Sequence, residues 1–145
     1  MTEKKYGKYI ITELQAPDFN AEFLEQYATF AKRILWIDDR VVEGAFQMNC
    51  SWYFKPNDRF EPSVKPHVHD TDEIIGFFGS DPKDPYNLHG EIEFWIEDEK
   101  HIITKSCLIF VPKGIKHLPL ILRRVDKPIF HFTTVTGGQY VSKPV

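Results

Sequence analysis

Two spacings of hydrophobic residues follow one another along the chain, and each predicts a different element. Phe23, Tyr27, Phe30 and Ile34 recur at intervals of four, three and four, the apolar face of a helix over residues 20–34. Asn20 stands where a side chain can cap its first turn, and Glu22 adds a negative charge there. Upstream, residues 9–13 read as a short strand that ends in a turn at Ala16-Pro17-Asp18. After Asp38-Asp39-Arg40 the period drops to two: over residues 45–54, Phe46, Met48, Cys50, Trp52 and Phe54 share one face of a strand, and Gln47, Asn49, Ser51 and Tyr53 share the other. Further strands are predicted over residues 73–78, 91–97, 101–105, 107–111, 118–124 and 129–135. Turn-rich pieces separate them, the longest being the loop 79–90. The pattern is that of an all-β antiparallel sandwich or barrel with an N-terminal α-helix. Nothing divides the chain, so residues 1–145 read as one domain: a strand and helix extension over 1–40 and a barrel over 45–135.

Which face of 45–54 looks inward is open at this level. The apolar set inside would make ordinary core, because burial of hydrophobic side chains usually decides register. The polar set inside requires cover for the outer face, and would turn Gln47, Asn49 and Tyr53 toward whatever the barrel holds. On the last strand, His131 alternates with Phe130 and Phe132 and reads as a pocket-lining or hydrogen-bonded barrel histidine. The carboxylates Glu91, Glu93 and Glu97 share a face with no basic partner in register, so that face is expected in solvent. His89 falls in the 79–90 loop, a lip over the mouth or an exposed polar segment, and His101 reads as a surface residue. Arg123 and Arg124 point to opposite faces, as surface cations or with one facing an anionic substrate.

Composition narrows the classes. Aromatic residues make up 14% of the 145, which suits strands. The net charge of −3 argues against nucleic acid as the main partner, and no run of apolar residues is long enough to span a membrane. The first residues lack the apolar core of a secretory signal, and two cysteines, Cys50 and Cys107, are few for a disulfide scaffold. A cytoplasmic protein is expected.

The chemistry concentrates in two places. In Lys65-Pro66-His67-Val68-His69-Asp70-Thr71-Asp72-Glu73, two imidazoles share a strand face, and a carboxylate can return to the same spot after a tight turn. In Ile109-Phe110-Val111-Pro112-Lys113-Gly114-Ile115-Lys116-His117, a third imidazole follows a strand and a Pro-x-Gly turn. Three imidazoles and a carboxylate are suitable donors for a first-row divalent metal.

These two segments resemble the paired motifs of the cupin superfamily. His67, His69 and Glu73 stand at the spacing of its first motif, and Pro112, Gly114 and His117 at that of its second. The flanks depart from it: Glu61 and Ser106 replace the leading glycines, Gly79 comes one residue early, and Ile121 replaces the trailing asparagine. The resemblance implies a small double-stranded β-helix, or jelly-roll, barrel holding one divalent ion (Fe, Mn, Ni or Zn) on His67, His69, Glu73 and His117. It also implies a metal-dependent enzyme acting on a small molecule with an enolic, carbonyl or carboxylate group, with dioxygenase, isomerase, lyase and decarboxylase chemistry all within the family's range. Tyr53 is the candidate proton donor, Glu73 could serve as base as well as ligand, and Gln47, Asn49 and His131 are the candidate substrate contacts. A non-catalytic metal- or ligand-binding module is the alternative. A homodimer is expected, because the aromatic-rich face from Phe46 to Phe54 would need covering.

Overall fold

The structure is a computed structural model, described here for residues 4–15, 18–57, 65–138, 141 and 143–144. After a 3-10 turn at Gly7–Tyr9, one helix, α1 (Ala21–Ala28), precedes ten strands. They are β1 (Ala31–Ile37), β2 (Gln47–Tyr53), β3 (His67–Val68), β4 (Glu73–Gly79), β5 (Asn87–Ile96), β6 (Glu99–Lys105), β7 (Cys107–Val111), β8 (His117–Val125), β9 (Ile129–Val135) and β10 (Lys143–Pro144). They form two five-stranded sheets of order β1-β2-β9-β4-β7 and β10-β3-β8-β5-β6, antiparallel in the registers that define them. Phe77, Leu88, Ile92, Phe94, Leu122 and Ile129, all fully buried, belong to the hydrophobic core. No helix among the described residues is long and apolar enough to cross a membrane. Cys50 and Cys107 are free thiols.

Four sequence expectations need correction. Residues 9–13 form no strand: the chain closes a 3-10 turn through Tyr9 N–H to Tyr6 O (3.1 Å), and Ile10 is left 73% exposed with nothing to pair against. The helix starts as expected, with the Phe23 N–H donating to the Asn20 side chain at 2.7 Å, but it ends at Ala28 rather than 34. Phe30 is buried and the chain straightens into β1, whose Lys32, Trp36 and Ile37 pair with Trp52, Asn49 and Met48 of β2. The apolar spacing of four, three and four therefore ran across a helix and a strand, and the pairing partner that decides between them lies some 15 residues away in sequence. The 79–90 loop is shorter than expected, because β5 resumes at Asn87: Leu88 is buried and His89 takes a positive φ of 50° at a bulge within the strand. Finally, the 91–97 face does have a basic partner. Arg123 on β8 reaches Glu93 at 2.7 Å, and Trp95 Nε1–H donates to the same carboxylate at 2.8 Å, leaving Glu93 buried. Arg124 instead pairs with Asp126 on the surface.

The flanking departures serve the corner near β7. Ser106 Oγ–H donates to Pro85 O (2.6 Å) and accepts from Gly79 N–H (2.9 Å), so two of the unusual positions tie to each other. A side chain at Gly79 would meet the Asn87 backbone, which explains a glycine there. Glu61 lies outside the described residues.

Candidate metal centre and its pocket

The burial of β2 alternates strictly, with Gln47, Asn49, Ser51 and Tyr53 inside. Antiparallel pairing extends each of these into a row across the inner face of the sheet: Gln47–Val135–Glu73, Asn49–Thr133–Ile75 and Ser51–His131–Phe77. The polar face thus looks into the barrel, and Phe46 and Phe54 are exposed outside (62% and 40%). Helix α1 makes this tolerable. Tyr27, on its inner side, donates its hydroxyl to Ser51 Oγ at 2.6 Å, and the ring covers the polar row.

Glu73 opens β4, His117 opens β8, and His67 on β3 pairs directly with His117. His69 follows β3 by one residue. The three imidazoles present donor atoms all within 4.8 Å of one another, a group that could hold a metal ion. His67 Nε2 and His117 Nε2 are 2.9 Å apart; Glu73 Oε1 lies 2.9 Å from His117 Nε2 and 3.5 Å from His69 Nε2. Donors about 2.1 Å from an ion and at right angles to each other stand about 3.0 Å apart, so these spacings fit adjacent ligands.

Tautomers carry the test further. His69 Nδ1–H donates to Val141 O (2.7 Å) and His117 Nδ1–H to Ile115 O (3.2 Å). Each bond directs a bare Nε2 lone pair into the cluster, the arrangement that metal-binding histidines use. Glu73 brings a buried carboxylate against the Nε2 atoms of both rings, and a set of three imidazoles and one carboxylate fits a first-row divalent ion.

The electrostatics agree. Burial, then the neighbouring His117 and His69, hold His67 down to about 4, so the ring is neutral at pH 7. Burial alone would raise the Glu73 carboxyl, but His117 and His69 outweigh it and bring it to about 2. Burial likewise opposes charge on His69, yet the hydrogen bond and attraction to Glu73 prevail and raise it.

A cavity of about 290 Å³ opens beside the cluster, with His67, Glu73 and His117 on one wall. Tyr53, Gln47, Asn49 and His131 also line it, so the structure brings the candidate substrate contacts to the same space. His131 is fully enclosed: its ring stacks 4.8 Å from Tyr53 and 5.0 Å from Phe77, and Nδ1–H donates to Gly76 O at 3.1 Å. Burial lowers its pKa to about 4. Two histidines are elsewhere: His89 lies 3.7 Å from Asp81, and His101 is exposed beside Glu99. Sequence reasoning missed Phe19, Arg33 and Trp36, which also line the cavity. For Arg33 the signal was hidden by reading 20–34 as one helix.

No protein-family model matches the chain, and no curated protein matches it. Solved structures do. Peruvianin-I, a cysteine peptidase from Thevetia peruviana latex, superposes with a TM-score of 0.58 at 9% identity, over 98% of this chain and 80% of that one. A recombinant oxalate oxidase in complex with glycolate gives 0.53 at 12% identity, over 94% and 63%. A double-stranded β-helix protein from Klebsiella pneumoniae subsp. pneumoniae MGH 78578 gives 0.51 at 10% identity, over 90% and 98%. The chain spans about half the length of two others, 45% of a DMSP lyase and 55% of an oxalate oxidase in complex with a substrate analogue. At these identities the likeness is one of fold. That fold is the double-stranded β-helix, here carrying a histidine cluster that could bind metal.

Proposed function

We propose that this protein is a metal-dependent enzyme of the cupin type, acting on a small organic molecule through an enolic, carbonyl or carboxylate oxygen. The observation that carries the reading is the convergence of three imidazoles and the Glu73 carboxylate beside a cavity. His67, His69, Glu73 and His117 would hold one ion of iron, manganese, nickel or zinc. When bound, the ion supplies Lewis acidity toward a substrate oxygen and, if it is redox-active, a route to dioxygen chemistry.

The chain's own residues supply the rest. The Nδ1–H bonds of His69 and His117 to backbone carbonyls fix the ligand rings. His131 is neutral at pH 7, with Nδ1–H committed to Gly76, so it serves as an acceptor that orients a donor group of the substrate. Tyr53, stacked on that ring, is the proposed proton donor, and Glu73 the proposed base where the chemistry requires one. Apolar residues on the cavity wall, among them Ile75, Leu118 and Leu120, exclude water and strengthen these interactions. Free thiols at Cys50 and Cys107 support a reducing, cytoplasmic setting.

The test is elemental analysis of the purified protein followed by turnover assays on enolic, diketone and hydroxy-acid compounds, with oxygen uptake recorded. About one ion per chain and turnover that His117→Ala abolishes are the expected results. Tight stoichiometric metal with no turnover would favour a non-catalytic binding module.

A further inference from the structure

The cavity has a second chemical pole, away from the histidines. Arg33, on β1, lines it, and among the described residues of its wall Arg33 is the one lysine or arginine. In the sheet order, β2 and β9 lie between β1 and β4, and Arg33 falls in the row of Ser51, His131 and Phe77, four residues along β4 from Glu73.

The guanidinium is held before any ligand arrives. It lies over the rings of Phe19 (4.7 Å), Tyr27 (4.8 Å) and Trp36 (5.5 Å), and Nε–H donates to Asn49 Oδ1 at 2.7 Å. A guanidinium is weakly hydrated and stacks on arenes without losing its charge, so it meets an anion already oriented and partly desolvated.

A second, independent observation points to a ligand. Gln47 is fully buried, its Oε1 accepts from Val135 N–H at 3.2 Å, and its Nε2 has no partner. Gln47 lies on the same face as Asn49, two residues along β2, and lines the same cavity. A buried amide donor left unpaired is destabilising, a penalty that an oxygen-bearing ligand would remove.

We propose that the cavity takes a carboxylate with an apolar, aromatic-sized body: the carboxylate docks on Arg33, Gln47 Nε2 donates to an oxygen of the ligand, and the opposite end is presented to the histidine cluster. This deepens the enzymatic reading above and rests on it for the role of the opposite end, while the anion subsite stands on Arg33 and Gln47 alone.

Trp36 under the guanidinium provides the readout. Its fluorescence is titrated with 3-phenylpropionate and with the neutral 3-phenylpropionamide, in the wild type, Arg33→Gln and His67→Ala. The acid should bind the wild type at least about tenfold tighter than the amide. Arg33→Gln should erase that preference, and His67→Ala, which removes a metal ligand, should keep it. Equal affinities in the wild type, or no saturable response to either compound, would overturn the proposal without needing a variant to fold. So would a preference that survives Arg33→Gln and disappears in His67→Ala, because the carboxylate would then be sitting on the ion. A protein that holds no metal yet retains the preference refutes the enzymatic reading and leaves this subsite standing.

Discussion

His131 shows how much a single inward residue is asked to bear. It is buried between two aromatic rings with one hydrogen bond, and its pKa falls from 6.5 to about 4 because burial disfavours the charged form. The unfolded chain therefore binds a proton that the folded chain refuses between pH 6.5 and 4. Stability from this residue is fully present above about pH 6.5 and is lost as pH falls toward 4, on the order of 3 kcal/mol over the window. His67 titrates in the same window, so the comparison that isolates His131 is between the wild type and His131→Phe. Urea midpoints measured from pH 7 to 4.5 should fall less steeply in the variant. Parallel curves would show that the ring accepts a proton in place. The inward position of this residue and of Gln47, Asn49 and Tyr53 was half legible: alternation put them on one face, but only the cover provided by Tyr27 on Ser51 decides which face is inside.

At the scale of elements, the strands 107–111 and 129–135 were read to the residue, because each is a short apolar run bounded by turn residues. The histidines of the candidate centre were legible for a related reason: a His-x-His pair and a histidine after a Pro-x-Gly turn are local patterns. β1 was not, since its evidence is the register with β2, and its loss took Arg33 and Trp36 with it. The C-terminal segment was also invisible. β10 pairs with β3, Lys143 reaches Asp70 at 2.7 Å, and Val141 O fixes the His69 tautomer, so this strap braces β3 and the histidine that follows it. Truncation after Gly138 should weaken metal affinity about 10- to 100-fold while the barrel remains folded. A competition titration against a chromogenic chelator measures this, with circular dichroism to confirm the fold. Unchanged affinity would mean that His69 is oriented without the strap.

For the whole molecule, turning the polar face inward sends the apolar one outward. Trp52, Phe130, Phe132 and Phe78 form a chain of ring contacts (5.2, 6.5 and 6.1 Å), and Phe46, Leu108 and Phe110 are mostly exposed. Gly76 belongs to this face, and the Phe132 ring lies where its side chain would be. We propose that a second copy of the chain covers it. Light scattering behind size exclusion should give a dimer at micromolar concentration, and Phe110→Glu with Leu108→Lys a monomer; a monomeric wild type would contradict the proposal. In the proposed centre, four side chains from two stretches of sequence, His67, His69 and Glu73 with His117, converge on one metal ion. This convergence is tested most directly by metal stoichiometry in the wild type, His67→Ala, Glu73→Gln and His117→Ala after loading with manganese or zinc and gel filtration. About one ion per chain is expected in the wild type and well under half of that in each folded variant. Wild-type stoichiometry retained in the histidine variants would contradict it.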